Sequence, residues 1–391
     1  MTAFLTVLFG RLPIGWLQLS HNRTRLFAAI AGVAFANLLV FVQLGILGAL
    51  NNTTTAPYAL FDADIIVSSA DANTLTDGSN VARQRLFQAM SVPGVAEGAP
   101  LYMANLEWQR SDGNFSTLQS FGVGVDQTEF LAPDIAAEFN VLALEDTVLI
   151  DRTTRGLPGD MLGSISSRTP FIFEANGRTL SAIGTLAVGA GFSSDGTLFT
   201  SDQTFLRLFT NRSSGAPNHI LLNVQDGIDL TVVVDRLREV LPLDSVQVNT
   251  MADAAAADRS YQTTERPTGI IFGFGVLIGV LVGIVIVYQI LSVDVSDHLK
   301  EYATFKAMGY GHSFFLGIVF EEAIILALFG FIPGLLTSIA LYAGLATATG
   351  LPIAMGPDRA AVVLLGTLLA CIISGAVATR RLAGADPADL F

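Results

Sequence analysis

The amino-acid sequence predicts an α-helical membrane protein: four transmembrane helices and one large extracytoplasmic α/β domain with a mainly β insert. Three observations carry the prediction. Four apolar runs each reach the roughly 20 residues needed to cross a hydrocarbon core. The whole net charge of −13 falls in the one long gap between the first two runs. That gap also begins and ends with the same strand–helix–strand order.

The apolar runs are 26–50, 269–293, 314–340 and 360–378. The first three contain Gly, Pro or isolated polar residues, which membrane helices tolerate when neighbours re-satisfy the backbone. The first run starts too late and extends too far for a cleaved signal peptide, so it is expected to remain as an anchor. Cys371, the single cysteine, lies in the fourth run and excludes an internal disulfide framework.

Charge sets the orientation. Arg11, Arg23 and Arg25 precede the first run without any acid, and Arg380 and Arg381 follow the fourth. The only two lysines, Lys300 and Lys306, lie between the second and third runs. Basic residues close to span ends mark the cytoplasmic side. Both termini and the segment 294–312 are therefore expected inside, with 51–266 and the short loop 341–359 outside. Residues 1–25 combine Trp16, Leu17 and Leu19 with Arg23 and Arg25, suiting an interfacial helix or a plain positive flank. Residues 379–391 form the cytoplasmic tail.

The outer region holds 13 arginines, no lysine and 26 acids, whereas the rest of the chain balances 8 basic against 8 acidic residues. Such a surface argues against nucleic acid or anionic headgroups as its main partner. "FDADIIVSS" reads as a strand, "VARQRLFQAM" as a helix with Leu86 and Met90 four apart, and "VAEGAPLYMANLEW" as extended chain. At the far end "NHILLNV" and "DSVQVNT" are strands, and "DLTVVVDRLREVLP" places Leu230, Val233, Val234, Leu237 and Leu241 on one helical face. Two such units, 57–110 and 218–250, suggest a base similar in plan to a split ferredoxin-like fold. The middle, 111–217, lacks helical periodicity and is expected to be mainly β, with strands at "FSTLQSFGVGV", "DTVLID", "RTLSAIGTLAV" and "GTLFTS". "MADAAAADRSYQTTER" should be helical and run straight into the second span.

Catalytic signatures are missing. Neither lysine follows a glycine, so no phosphate-cradling loop is present, and there is no Gly-x-Ser-x-Gly elbow. His21, His219, His298 and His312 are scattered without metal-ligand spacing and read as surface or interface residues. No catalytic residue, metal site or cofactor is expected in this chain. Glu321 and Glu322 do need an account, because they fall about eight residues into the third run, and carboxylates within a bilayer are costly. They form either a proton or cation relay, or a structural pair near the cytoplasmic surface against another helix. Pro333 should kink the same span, with Gly330 and Gly334 permitting close packing.

On a helical net Val295, Leu299, Tyr302 and Phe305 share one face of the lysine segment, and Gly309-Tyr310-Gly311 ends the helix. A short amphipathic helix tied to two spans is a natural docking surface for a soluble partner. The alternative is that the lysines serve topology alone.

"DHLKEYATFKAMGYGHSFF" resembles the cytoplasmic loop of FtsX/MacB-like permeases of ABC systems, and most resembles the DevC-like branch, the permeases of cyanobacterial glycolipid-type exporters. "GWLQLSHNRTRLFAAIAGVAFANLLVFVQLG" is similar to the start of that branch, "EEAIILALFGFIPG" to its third span and "RRLAGADPADLF" to its C-terminus. The resemblance implies a homodimer in the bacterial inner membrane, with the large domain in the periplasm. It further implies two copies of a separate ABC ATPase subunit that carries ATP and Mg. The coupling element would be 294–312, with Val295, Leu299, Lys300, Glu301, Tyr302, Phe305, Lys306 and Met308 as contact residues. Of these, Glu301 and Lys306 would be the polar contacts, and Leu299, Tyr302 and Phe305 the apolar anchors. In relatives the outer domain engages a periplasmic adaptor, or membrane fusion protein, which leads to an outer-membrane channel. The acid pair Glu321 and Glu322 departs from the more usual single acid.

The leading expectation is the permease subunit of a tripartite exporter of a lipid-like or amphiphilic substrate, working its outer domain by ATP-driven motion within the membrane lipid. The rivals are an FtsX-type permease that regulates an envelope hydrolase without transport, a secondary transporter using Glu321 and Glu322, and a membrane-anchored receptor.

Overall fold

The computed structural model describes residues 14–110, 112–157 and 165–379. The first part of the N-terminal segment and the tail "RRLAGADPADLF" lie outside the described residues. The chain divides into two compact units. A helical unit takes in Met1–Gly48, Ile270–Gly344 and Ile353–Phe391, and an α/β unit takes in Ala49–Gly269 with Leu345–Pro352. The described residues begin with helices α1 (Ile14–His21) and α2 (Arg23–Thr55).

In the α/β unit the expected base is present: β1 (Ile65–Ser69), α3 (Gln84–Met90) and β2 (Val95–Gln109). The insert follows with β3 (Phe115–Val123), α4 (Pro133–Phe139), β4 (Thr147–Asp151), β5 (Phe171–Ala175), β6 (Arg178–Leu186), β7 (Gly196–Ser201) and α5 (Asp202–Leu208). The base resumes with β8 (His219–Val224), α6 (Leu230–Val240) and β9 (Val246–Thr250), and α7 (Met251–Thr264) follows. Among the described residues the strands form one sheet in the order β5-β6-β4-β7-β3-β2-β8-β1-β9.

The four base strands pair antiparallel throughout, in the order β2-β8-β1-β9 of a split β-α-β arrangement. Strand β2 joins the two halves because it is long. Its Val95–Leu101 stretch pairs with β8, and Tyr102–Gln109 pairs with β3 on the opposite edge. Successive side chains of a strand face opposite ways. Ile65 and Val67 accordingly pack with Leu86, Ala89, Val233 and Leu237 beneath α3 and α6, whereas Ile66 joins Leu101, Phe121 and Phe199 on the other face. Asp229 caps α6 by accepting from Thr231 N, and Thr250 caps α7 by accepting from Asp253 N.

Several expectations need correction here. Met90 is 41% exposed, and Ala89 fills the buried place beside Leu86. Among the described residues the insert contains two short α-helices, α4 and α5, too brief to show a period in the sequence. Edge strand β5 was also not expected, although the Asn176-Gly177 turn that joins it to β6 has positive φ at both residues, a hairpin signature. His219 is neither a surface nor an interface residue but a fully buried one.

Among the described residues α8 (Pro267–Asp297), α9 (Leu299–Ala307), α10 (His312–Thr349) and α11 (Pro357–Ala378) follow, for the most part in the helical unit. Among the described residues four helices are long and apolar enough to cross a membrane. They outrun the apolar sequence: α10 reaches Thr349, so the following loop is 350–356 rather than 341–359. Helix α7 does not run straight into α8; Glu265 and Arg266 interrupt it before Pro267. Pro333 lies inside α10. A Cβ on Gly330 would lie 2.5 Å from Val33 Cβ, and one on Gly334 would lie 3.0 Å from Ala34 O. Glycine at these two places is what lets α10 approach α2. Between α2 and α11, Thr367 Oγ1 donates to Asn37 Oδ1.

Candidate coupling segment

Helix α9 follows α8 with only His298 between them, and the backbone bonds His298 N to Asp294 O and Tyr302 N to His298 O carry the chain across the join. The helix stops at Gly309. Its φ of +93° is left-handed, Gly309 N donates to Lys306 O, and Tyr310 N donates to Phe305 O. That is a Schellman end, and its hydrophobic contact is present as well: the Phe305 and Tyr310 rings lie 5.7 Å apart. Phe314 meets both, edge-on to Phe305 at 5.8 Å and tilted against Tyr310 at 4.5 Å. The Gly309-Tyr310-Gly311 sequence thus ends the helix by backbone geometry, as the sequence reading expected.

The apolar face of α9 turns inward. Val295 and Tyr302 are buried with Phe315, Ile318 and Val319, and Leu299 and Phe305 pack partly against them. The Tyr302 ring meets Phe315 edge-on at 5.7 Å. Burial, with the negative fields of Glu322 and Asp294, pushes the Tyr302 phenol up from its ordinary value. Tyr302 therefore fastens α9 to its own chain and is not free to anchor a partner. The outward side carries Glu301, Thr304, Lys306 and Met308, and Met308 is 59% exposed. The side chain of Lys300 lies outside the described residues.

A second clamp comes from the N-terminal helix. Tyr302 Oη donates to Gln18 Oε1 at 3.3 Å, and Gln18 Nε2 donates to Glu301 Oε2 at 3.1 Å. His298 Nδ1 lies 3.1 Å from the same carboxylate. Partial desolvation raises the Glu301 pKa, but the contacts from Gln18 and His298 outweigh it and hold the carboxyl below its usual range. Arg25, at the start of α2, pairs with Asp294 at 3.3 Å and with Asp297. Arginine suits this bridge because its planar fork can serve two carboxylates at once.

The acid pair belongs to the same assembly. Glu321 is 2% exposed and Glu322 is fully buried. Trp16 N donates to Glu321 Oε1 at 3.3 Å, and the Trp16 ring stacks on Phe329. Gly15 lies so close to Glu322 that a Cβ would stand 2.9 Å from its Cγ. The charged neighbours of Glu322 are Asp294, Glu321 and Arg25. The pair thus meets α1.

Residues 273–387 match the FtsX-like permease C-terminal family. The chain carries an FtsX-like permease domain over this stretch, which includes α9, α10, α11 and most of α8. No curated protein matches the chain. Among solved structures, it is similar to the periplasmic region of MacB from Actinobacillus actinomycetemcomitans. That similarity is 12% identity with a TM-score of 0.33, covering 50% of this chain and 92% of that one. It is also similar to the extracellular domain of the noncanonic ABC-type transporter YknZ from Gram-positive bacteria. There the identity is 11% and the TM-score 0.32, covering 48% of this chain and 98% of that one.

Within the FtsX-like domain the structure brings together Val295, Leu299, Tyr302, Phe305, Glu321 and Glu322, and sets Pro333 apart from them. Sequence reasoning missed the partners that lie outside this domain, Gln18 and Arg25. Arg25 was legible only as a topology signal, because its acids lie roughly 270 residues away, beyond any local periodicity.

Proposed function

We propose that the chain is the permease subunit of an ABC-type exporter of a lipid-like or amphiphilic substrate, akin to the DevC-like branch. In this reading it sits in the inner membrane as a homodimer with both termini cytoplasmic. A separate ATPase, holding ATP and Mg, docks on the outward side of α9, and a periplasmic adaptor connects the α/β unit to an outer-membrane channel. The observation that carries the reading is the pairing of the FtsX-like match with a short helix fastened along one face and exposed along the other. A push on such a helix is delivered to α1, α2, α8 and α10 together, because Tyr302, Gln18 and Arg25 leave it little freedom to slip.

Two rivals fare less well. A secondary transporter needs Glu321 and Glu322 beside a pathway, whereas the pair is packed against Gly15 and Trp16. An FtsX-type regulator of an envelope hydrolase shares the coupling step, but the large β insert favours export.

The test is co-elution of the detergent-solubilised chain with its candidate ATPase. Met308→Asp, on the outward side and apart from the clamp, should weaken co-elution at least tenfold while the permease stays folded. Unchanged co-elution in that variant removes α9 as the docking element, and no co-elution by the natural chain removes the ABC reading.

A further inference from the structure

The α/β unit encloses a cavity of about 390 Å³ that the coupling reading does not use. Its walls come from the end of α2, from α7 and from the loop after β6. Leu75 and Phe192 supply apolar surface, while Gln119, Asp258 and Gln262 supply polar groups. That volume falls within the range of small-molecule sites, which combine apolar walls with a few placed polar groups.

Asp258 is the unusual member. It is 3% exposed. Its Oδ2 accepts from Leu75 N at 2.9 Å and from Tyr58 Oη at 3.2 Å, but its Oδ1 is buried and receives no hydrogen bond. Gln262 lies one helical turn on along the same wall. Leaving a carboxylate oxygen buried without a donor is costly. Arg266 also borders the cavity, yet its guanidinium is held by Asp77 at 3.3 Å. With that pair neutral, the wall keeps the single negative charge of Asp258.

We propose that this cavity binds a small organic cation, an apolar body ending in a protonated amine, whose N–H donates to Asp258 Oδ1. An ammonium group supplies both the missing donor and the missing charge, and the half-apolar wall receives the body. An anion would meet the carboxylate, and a neutral molecule would leave the charge uncompensated. Among the described residues no group of three or more His, Cys, Asp and Glu side chains is arranged to hold a metal ion, and the half-apolar wall suits an organic cation better than an inorganic one. The inference does not depend on ATPase docking, since every residue it uses belongs to the α/β unit.

Proton competition should mark the site. Burial is the main cause that raises Asp258 from 3.8 to about 6, opposed by the bonds from Leu75 and Tyr58 and by the nearby Gln262 amide, and aided by Asp77. The titratable and charged groups facing it are Tyr58, Asp77 and the Arg266 that Asp77 holds. A bound amine should therefore weaken as pH falls from 7.5 to 5, where the amine stays charged and the carboxyl takes up its proton.

The experiment uses the full chain in phosphatidylcholine nanodiscs and three probes with one indole body: tryptamine, tryptophol and indole-3-acetate. Tryptamine should bind saturably and at least tenfold more tightly than the other two, lose that advantage in Asp258→Asn, and weaken at least fivefold at pH 5. Gly191→Trp is a second variant that leaves Asp258 in place. A Cβ there would meet Thr53 Cβ at an ordinary 3.7 Å, so the indole can grow into the cavity and should abolish binding. If tryptamine fails to bind, if the three probes bind alike, or if Gly191→Trp leaves tryptamine binding unchanged, the cavity holds only water and the proposal falls.

Discussion

Acidification should weaken the α/β unit, and one side chain accounts for a definable part of the loss. His219, on β8, lies with Nδ1 2.8 Å from Ser68 Oγ and Nε2 2.8 Å from Leu75 O. A carbonyl can only accept, so Nε2 carries the proton and Nδ1 accepts from the serine hydroxyl. The neutral ring is fully satisfied in this way. Burial drives its pKa from 6.5 down to about 4, against the opposing pull of Leu75 O and Asp77. The folded value lies below the unfolded one, so this stability is complete above about pH 6.5 and is lost as pH falls toward 4. A gap of about 2.5 pH units corresponds to about 3 kcal/mol.

The two tryptophans make the measurement selective, because Trp16 lies in the helical unit and Trp108 in the α/β unit. In a Trp16→Phe background, Trp108 fluorescence during urea unfolding in nanodiscs follows the α/β unit. The parent and a His219→Gln variant are compared at pH 7.5 and pH 4. Glutamine cannot ionise and keeps an N–H for Leu75 O. The variant should lose about 3 kcal/mol less than the parent on acidification. Asp258, which titrates in the opposite sense, is common to both chains and cancels. Equal losses in the two chains would refute a neutral, buried His219.

Two further outcomes test the clamp around α9. Gly309→Val places a branched residue at φ +93°, which should cost about 1–2 kcal/mol. Both lysines lie on α9, so cleavage of the full chain by endoproteinase Lys-C should accelerate roughly tenfold, and an unchanged rate would count against the Schellman end. Arg25→Gln leaves Asp294 buried without its cation and should cost the helical unit about 2 kcal/mol, read from Trp16 in a Trp108→Phe background. Adding Asp294→Asn should restore more than half of that loss, and a purely additive pair of losses would mean the ion pair contributes nothing.

Much of the fold was legible because its causes are local. Span positions follow from runs of apolar side chains, and the base strands and α6 follow from periods of two and 3.6. The helix stop at Gly309 follows from a backbone angle that glycine adopts readily. The insert was less readable. Helices α4 and α5 are too short for a period, and the order β5-β6-β4-β7-β3 depends on pairings between strands far apart in the chain. The Asn176-Gly177 turn was a readable signal for β5 that sequence reasoning passed over.

The candidate site divides the same way. Its place on the lysine segment could be read from charge and amphipathicity, and its apolar face from spacing. Which side that face serves could not, because a stripe of Val295, Leu299, Tyr302 and Phe305 suits a partner and a neighbouring helix equally well. The same holds for Arg25 against Asp294, for Gln18 against Tyr302, and for the unbonded oxygen of Asp258. The sequence by itself determined the four membrane helices, the acidic α/β domain and the short helix between two spans, since each depends on neighbours along the chain. Only the tertiary structure decided which groups are buried and which charges are compensated, because burial and pairing belong to residues that meet in space after long separation in sequence.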